Sequence, residues 1–117
     1  MSAPPEKPEA VAGQPRPDPK YFFCRLIPPR STFVFDMSEE ERAVMHKHVA
    51  YWHGHLAAGR VVVFGPVADP AGGWGLGVVR VADDAEMRDL EENDPTILSG
   101  LGFRYEVLPM IRAVTKA

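Results

Sequence analysis

From Ser38 to Pro66 the residues describe a helix that runs almost directly into a strand, a pairing that leaves few architectures open. Ser38-Glu39-Glu40-Glu41 reads as a capping box, in which the serine oxygen accepts from the amide three residues on and Glu41 reaches back. The three acids also suit the positive end of a helix dipole. Met45, Val49, Trp52 and Leu56 then recur at spacings of four, three and four, which predicts one apolar face turned to the core. Ala57-Ala58-Gly59 ends the helix, with Gly59 as a left-handed cap. Residues 61–64 form an unbroken apolar run, expected to be a strand covered on both faces. A helix with one apolar stripe, joined this closely to a strand, has to bury that stripe on a sheet.

The rest of the chain repeats the alternation. At 117 residues it is long enough for one core and too short for two. Residues 1–19 hold six of the twelve prolines and no aromatic residue, so they are expected to form a disordered or polyproline-like arm. Residues 20–112 are expected to fold as one domain, and 113–117 to be a tail. Residues 21–27 read as a strand stopped by Pro28-Pro29, followed by a loop over 30–37. After Gly65-Pro66, the turn residues 69–73 lead to a strand over 74–81. Asp83-Asp84 caps a second helix over 85–92. Asn93-Asp94-Pro95, a short turn with Ile97 and Leu98, and Gly100 and Gly102 lead into a last strand over 103–107. The order β-α-β-β-α-β predicts an α+β, ferredoxin-like unit of four antiparallel strands with both helices on one face. The other face would carry an apolar patch, and homodimerisation by packing sheet against sheet would cover it.

Several partner classes drop out. Lys plus Arg number 13 against 16 Asp plus Glu, with no basic block, so nucleic acid is not an expected partner. Apolar residues at 45% and charged residues at 25% match an ordinary soluble domain. The longest uncharged apolar run, 61–68, falls short of the roughly 20 residues of a membrane span, and no secretory pattern opens the chain. A cytoplasmic protein without a membrane partner is expected. Cys24 has no second cysteine to pair with; its apolar surroundings predict a buried, inert thiol, since no neighbouring base is present to activate it.

Four histidines fall on the first helix, at 46, 48, 53 and 55. None are three or four apart, and His48 and His55, which share a flank, are separated by a rise of roughly 10 Å. One zinc, with ligand distances of about 2 Å, cannot take both, so no metal is expected. His48 lies nearest the apolar stripe, with His55 just beyond it and the other two on the opposite flank. It is open to two readings: a boundary histidine satisfied by a carboxylate, or the acid/base group that imidazole commonly supplies near neutral pH. Asp94 precedes Pro95, which biases its backbone away from the helical region and lets the side chain turn inward to cap or accept. Should it meet His48, the carboxylate would fix the ring's tautomer and raise its basicity. The run Gly72-Gly73-Trp74-Gly75-Leu76-Gly77 enters a strand with no helix behind it, so nucleotide-loop contexts fail, and a tight turn or a close approach of backbone or ligand is expected instead. Arg25 and Arg104 sit in predicted strands, where each either anchors an anionic substrate or forms a structural ion pair. Trp52 and Trp74 either wall an aromatic pocket or pack the core.

Taken in order, His48-Val49-Ala50-Tyr51, Gly59, Phe64-Gly65-Pro66, Asp94-Pro95 and Leu108-Pro109 resemble the YciI-like (YCII-related domain) family, over roughly residues 20–110. The resemblance implies a ferredoxin-like fold that dimerises as an α/β barrel, and a cleft lined by His48 and Asp94 as an acid/base pair. Related small barrels are associated with elimination, isomerisation or dehydrochlorination of oxygenated ring compounds. The proline-rich arm and the long loop from Pro28 to Met37 depart from that pattern, and the loop would reshape the mouth of the cleft. The expectation is a cofactor-independent enzyme of isomerase, lyase or dehydrochlorinase type. In it His48 and Asp94 are catalytic, and Arg25, Trp52, Gly65, Pro66 and Trp74 bind a small cyclic or anionic substrate. The alternatives are a non-catalytic small-molecule binding or regulatory module using the same cleft, and a structural dimer whose cleft is filled and dry.

Overall fold

A computed structural model describes residues 18–116, so almost all of the expected N-terminal arm lies outside the described residues. The elements are β1 (Lys20–Ile27), α1 (Phe33–Asp36), α2 (Glu39–Ala57), β2 (Val61–Val67), β3 (Trp74–Val81), α3 (Asp84–Glu92), α4 (Pro95–Ser99) and β4 (Arg104–Pro109). The four strands form one antiparallel sheet in the order β2-β3-β1-β4. This α+β arrangement is compatible with the ferredoxin-like order read from the sequence.

Strand alternation decides which side of the sheet carries the core. On β1, Phe22, Cys24 and Leu26 are buried, while Tyr21, Phe23, Arg25 and Ile27 between them are half-buried. Phe22 and Cys24 join Val61, Val79 and Val81 from the neighbouring strands, Trp52 from α2, and Met87 and Leu90 from α3 in one core cluster. Both long helices therefore cover the same face. A second cluster of Leu26, Phe33 and Phe103 lies toward the other end, with Phe33 and Phe103 packed edge to face at 5.3 Å. Full burial of one such side chain contributes on the order of 2 kcal/mol. Cys24 is 1% exposed and its thiol is pushed up to about 12, chiefly by burial and then by Glu91, which makes it the inert sulfur that was expected.

Helix α2 begins as the capping box requires. Ser38 Oγ accepts from the Glu41 amide at 3.1 Å, and Glu41 Oε1 accepts from the Ser38 amide at 2.8 Å. Gly59 follows the helix at φ 84°, where a side chain would be strained.

Two expectations about packing need correction. The buried residues of α2 are Glu41, His48 and Trp52, with Val49 at 42% and Leu56 at 39% exposed, so the core face is rotated from the apolar stripe. Counting only apolar residues missed the inward polar side chains, which are buried because each finds a partner. Strand β2 is not covered on both faces: it is an edge strand, broken by a bulge between Val61 and Val63, and Val62 and Val63 stand 41% and 50% exposed. Its apolar run reflects strand propensity and one covered face.

The loop after β1 is also more ordered than expected. It contains the single turn α1, which buries Phe33. Arg30 holds it down, with Nη1 and Nη2 donating to the two carboxylate oxygens of Glu41 and Nε donating to Asp36, all at 2.8 Å. Likewise, the expected turn at Ile97 and Leu98 is the short helix α4, with Pro95 at its first turn and Gly100 closing it at φ 70°. No helix among the described residues is long and apolar enough to cross a membrane.

Candidate active site

Asp94 is fully buried, and the backbone that puts it there follows from its neighbour. Pro95 disfavours the helical region for the preceding residue, so Asp94 stays extended at φ −64° and ψ 132° between α3 and α4 and serves as the N-cap of α4. Its Oδ1 accepts from the Thr96 amide and the Thr96 hydroxyl, both at 2.8 Å. Its Oδ2 accepts from Trp52 Nε1 at 2.7 Å, from the Tyr105 hydroxyl, and from His48 Nδ1 at 2.9 Å. Trp52 Nε1 also donates to the Tyr105 oxygen at 3.1 Å.

A buried carboxylate with this many donors is held ionised. Burial alone would raise its pKa. The hydrogen bond from His48 and the attraction of that ring outweigh burial, with help from Tyr105 and the Thr96 amide, and hold Asp94 at about 2. The Tyr105 hydroxyl is pushed far upward by burial and by Asp94, so it remains a donor. An ionised carboxylate only accepts, so His48 Nδ1 must carry the proton it gives to Asp94. In the neutral ring Nε2 is then the acceptor. No protein partner occupies Nε2 among the described residues, and the ring lines a cavity.

That cavity, of about 200 Å³, lies between α2 and the sheet where the two core clusters meet. Leu26, Phe33 and Phe103 line it from one cluster, and Trp52, Phe64 and Tyr105 from the other. Its wall depends on glycine: a Cβ at Gly77 would sit 2.5 Å from the Trp52 ring, so only glycine lets the indole lie on β3 with its N–H reaching Asp94. The close approach expected of this glycine run is thus made by a side chain. The outer rim includes Val34 and Val49, 47% and 42% exposed.

Of the residues assigned from the sequence, His48 and Asp94 meet, and Trp52 bonds to the same carboxylate. Gly65 and Pro66 line the cavity on β2. Arg25 does not belong to this group. It alternates with Cys24 and Leu26 and so faces the opposite side of the sheet, where its guanidinium lies 4.4 Å over the Trp74 ring and 3.6 Å from Glu106. Trp74 touches the cavity's end, but its ring packs edge-on to Phe23 and its Nε1 donates to Asp69 at 3.0 Å. Arg104 is likewise exposed, 3.5 Å from Glu106. Strand parity, not residue type, excludes these arginines.

Two members of the site escaped sequence reasoning. Thr96 stands two residues after Asp94, the spacing of an Asx turn, and that signal was available. Tyr105 alternates with Glu106 and looks like any core tyrosine; nothing local shows that its hydroxyl ends on Asp94. Of the other helix histidines, His46 and His53 are exposed. His55 Nδ1 accepts from Arg60 Nε at 2.9 Å, and its pKa is lowered by burial and by that arginine. No group of three potential ligands is placed to hold a metal among the described residues.

The profile of the YCII-related domain matches residues 21–111. The chain belongs to the YCII-related domain family. The match spans β1 through β4 and so includes every residue of the Asp94 cluster. No curated protein matches the chain. Among solved structures, it is similar to the uncharacterized protein TM1266 from Thermotoga maritima, at 12% identity and a TM-score of 0.44, covering 78% of this chain and 95% of that one.

Proposed function

We propose that this YCII-related domain protein is a cofactor-independent enzyme that moves a proton on a small molecule bound in the cavity, with His48 Nε2 as the base and Asp94 as the group that orients it. The observation that carries this reading is the one-sided satisfaction of the imidazole: Nδ1 is fixed on a buried carboxylate while Nε2, among the described residues, has no protein partner at a ligand-sized hollow. When Nε2 takes a proton the ring becomes an imidazolium, and Asp94 is already in place to stabilise it. Trp52, Tyr105 and Thr96 act on the carboxylate, keeping it ionised and aimed.

The homodimer is part of the same reading. The uncovered sheet face carries Phe23, Leu76 and Val78 on its central strands, with the exposed Val63 and Leu108 on its edges, which favours a second copy packed sheet to sheet. Size-exclusion chromatography with light scattering tests it; a monomer at micromolar concentration counts against it.

Catalysis is testable without knowing the substrate. In D2O, the wild-type protein is expected to speed loss of the α-hydrogen signals of cyclohexanone beyond a matched imidazole buffer, and folded His48→Gln is expected to lose that acceleration. Binding without faster exchange across a series of cyclic ketones would instead favour a sensor.

A further inference from the structure

The opposite face of the sheet carries a polar hollow that the chemistry at His48 does not use. In the antiparallel register of β1 and β4, Arg25 pairs with Glu106 and Ile27 with Arg104, so these four side chains share one face. The hollow has a volume of about 480 Å³ and lies at the end of the sheet where β1 stops and β3 and β4 begin. Its walls include residues 28–31 and the turn before β3. A Cβ at Gly72 would stand 3.0 Å from Ser31 Cβ, so only glycine lets these two segments close on each other. Pro28, Gly73 and Trp74 line both this hollow and the cavity at His48, and so stand between the two.

A shortage of acceptors marks the hollow. Three arginines and two acids line it. Arg30 is spent on Asp36 and Glu41, all at 2.8 Å. Asp69 is turned to its own turn, accepting from the Ala71 amide at 2.9 Å and from Trp74 Nε1 at 3.0 Å. Arg25 and Arg104 are left with one carboxylate between them, and they hold it loosely: Arg25 Nη1 stands 3.6 Å and Arg104 Nη1 3.5 Å from Glu106. Arg25 Nε is buried with no hydrogen-bond partner among the described residues. Stacking at 4.4 Å over the Trp74 ring fixes the plane of the guanidinium and satisfies none of its N–H groups. A partly buried guanidinium with unmet donors costs stability, and a further carboxylate offsets that cost.

We infer that this hollow is a second binding site, which takes a short aliphatic monocarboxylate held by Arg25 and Arg104. The planar fork of a guanidinium matches a carboxylate's two oxygens. Two arginines against Glu106 leave one positive charge over, which a monocarboxylate neutralises and a dianionic phosphate ester exceeds. Ile27, Pro28 and Pro29 give the wall apolar surface for a short hydrocarbon body. A second copy packed on Phe23, Val78 and Leu108 would border the hollow, whose loop walls extend past the strand ends.

Calorimetric titration of the full chain at low salt with pentanoate, pentanamide and butyl phosphate tests the inference. Pentanoate is expected to bind saturably, about tenfold more tightly than pentanamide, the worth of a charge-assisted hydrogen bond, and more tightly than butyl phosphate. In proton–nitrogen correlation spectra the Arg25 Nε–H resonance should shift as pentanoate is added. Arg25→Gln should abolish the preference over pentanamide. Glu106→Gln, which removes the competing carboxylate, should tighten pentanoate binding, an effect that a purely structural ion pair would not produce. His48→Gln should bind pentanoate as the wild type does. No saturable binding of pentanoate to the wild type, equal binding of pentanamide, tighter binding of butyl phosphate, a preference that survives Arg25→Gln, weaker binding in Glu106→Gln, or loss of binding in His48→Gln would each overturn the inference. None of these measurements needs turnover, so a failure of ketone exchange leaves this site standing and a failure here leaves the proton-transfer reading standing.

Discussion

Asp94 and Glu41 are both buried carboxylates with full sets of donors, and both are held at about 2, yet they do different work. Glu41 owes its low value first to the Arg30 hydrogen bonds and then to the Ser38 amide. Arg30 also holds Asp36, so its donors are spent on tying α1 to the start of α2. Asp94 owes its value in part to His48, whose second nitrogen lies at a cavity with no partner among the described residues. A buried, depressed acid is therefore no sign of function by itself. What distinguishes the two is whether the partner has an atom left over and where that atom points.

The comparison is broken most severely at Asp94. Asp94→Asn places an amide group among Trp52, Tyr105, Thr96 and His48 donors, so ketone exchange should fall on the order of 10⁴-fold by analogy with other His-Asp pairs. Thermal unfolding of the same variant should reveal a loss of about 3 kcal/mol, because buried donors lose their acceptor. Unchanged exchange would mean that the carboxylate does not act through the ring.

Acid unfolding tests the depression at Asp94 next. The folded pKa of Asp94 is depressed from 3.8 to about 2, so its contribution is fully present above the ordinary carboxylate range and disappears as pH falls through about 2. The shift corresponds to on the order of 2 kcal/mol. Chemical denaturation at stepped pH should give a shallower acid limb in Asp94→Asn than in wild type; equal slopes would contradict the depression.

Gly77→Ala probes the wall that supports the site without touching its polar atoms. A methyl group 2.5 Å from the Trp52 ring has to push the indole off the strand, at a cost of about 1–3 kcal/mol. Loss of the indole N–H bond to Asp94 should appear as a shifted indole proton resonance.

Smaller effects sharpen the contrast. Glu41→Gln should lower the melting temperature by loosening α1, while ketone exchange measured below that temperature stays at the wild-type rate. A rate loss as large as that of Asp94→Asn would erase the distinction between the two acids. Arg25→Gln should leave ketone exchange unchanged; a weakened response there would return Arg25 to the substrate side.

Local chemistry made much of this legible in the residues. Ser38 and Glu41 announce a helix start because their reciprocal bonds involve only near neighbours, and Gly59 announces its end through a backbone angle that other residues resist. Pro95 dictates the extended backbone of Asp94 for the same kind of reason. Where apolar periodicity stood in for burial, the reading failed: Val49 and Leu56 face outward, and Glu41 and His48 face inward. Burial of a polar group depends on a partner, and those partners, Arg30 and Asp94, lie in other elements.

The sequence by itself determined the order of the four strands and two long helices, the termini of those helices, the family, and the pairing of a histidine with an aspartate as the feature to watch. Only the tertiary structure decided that Trp52, Tyr105 and Thr96 converge with His48 on one carboxylate, that Gly77 makes room for the indole, and that Arg25 lies on the far side of the sheet. The reason is range. Caps and turns are set by atoms a few residues apart, whereas the acceptor of a buried donor and the face that a strand residue occupies are fixed by register with distant strands and by the packing of helices across them.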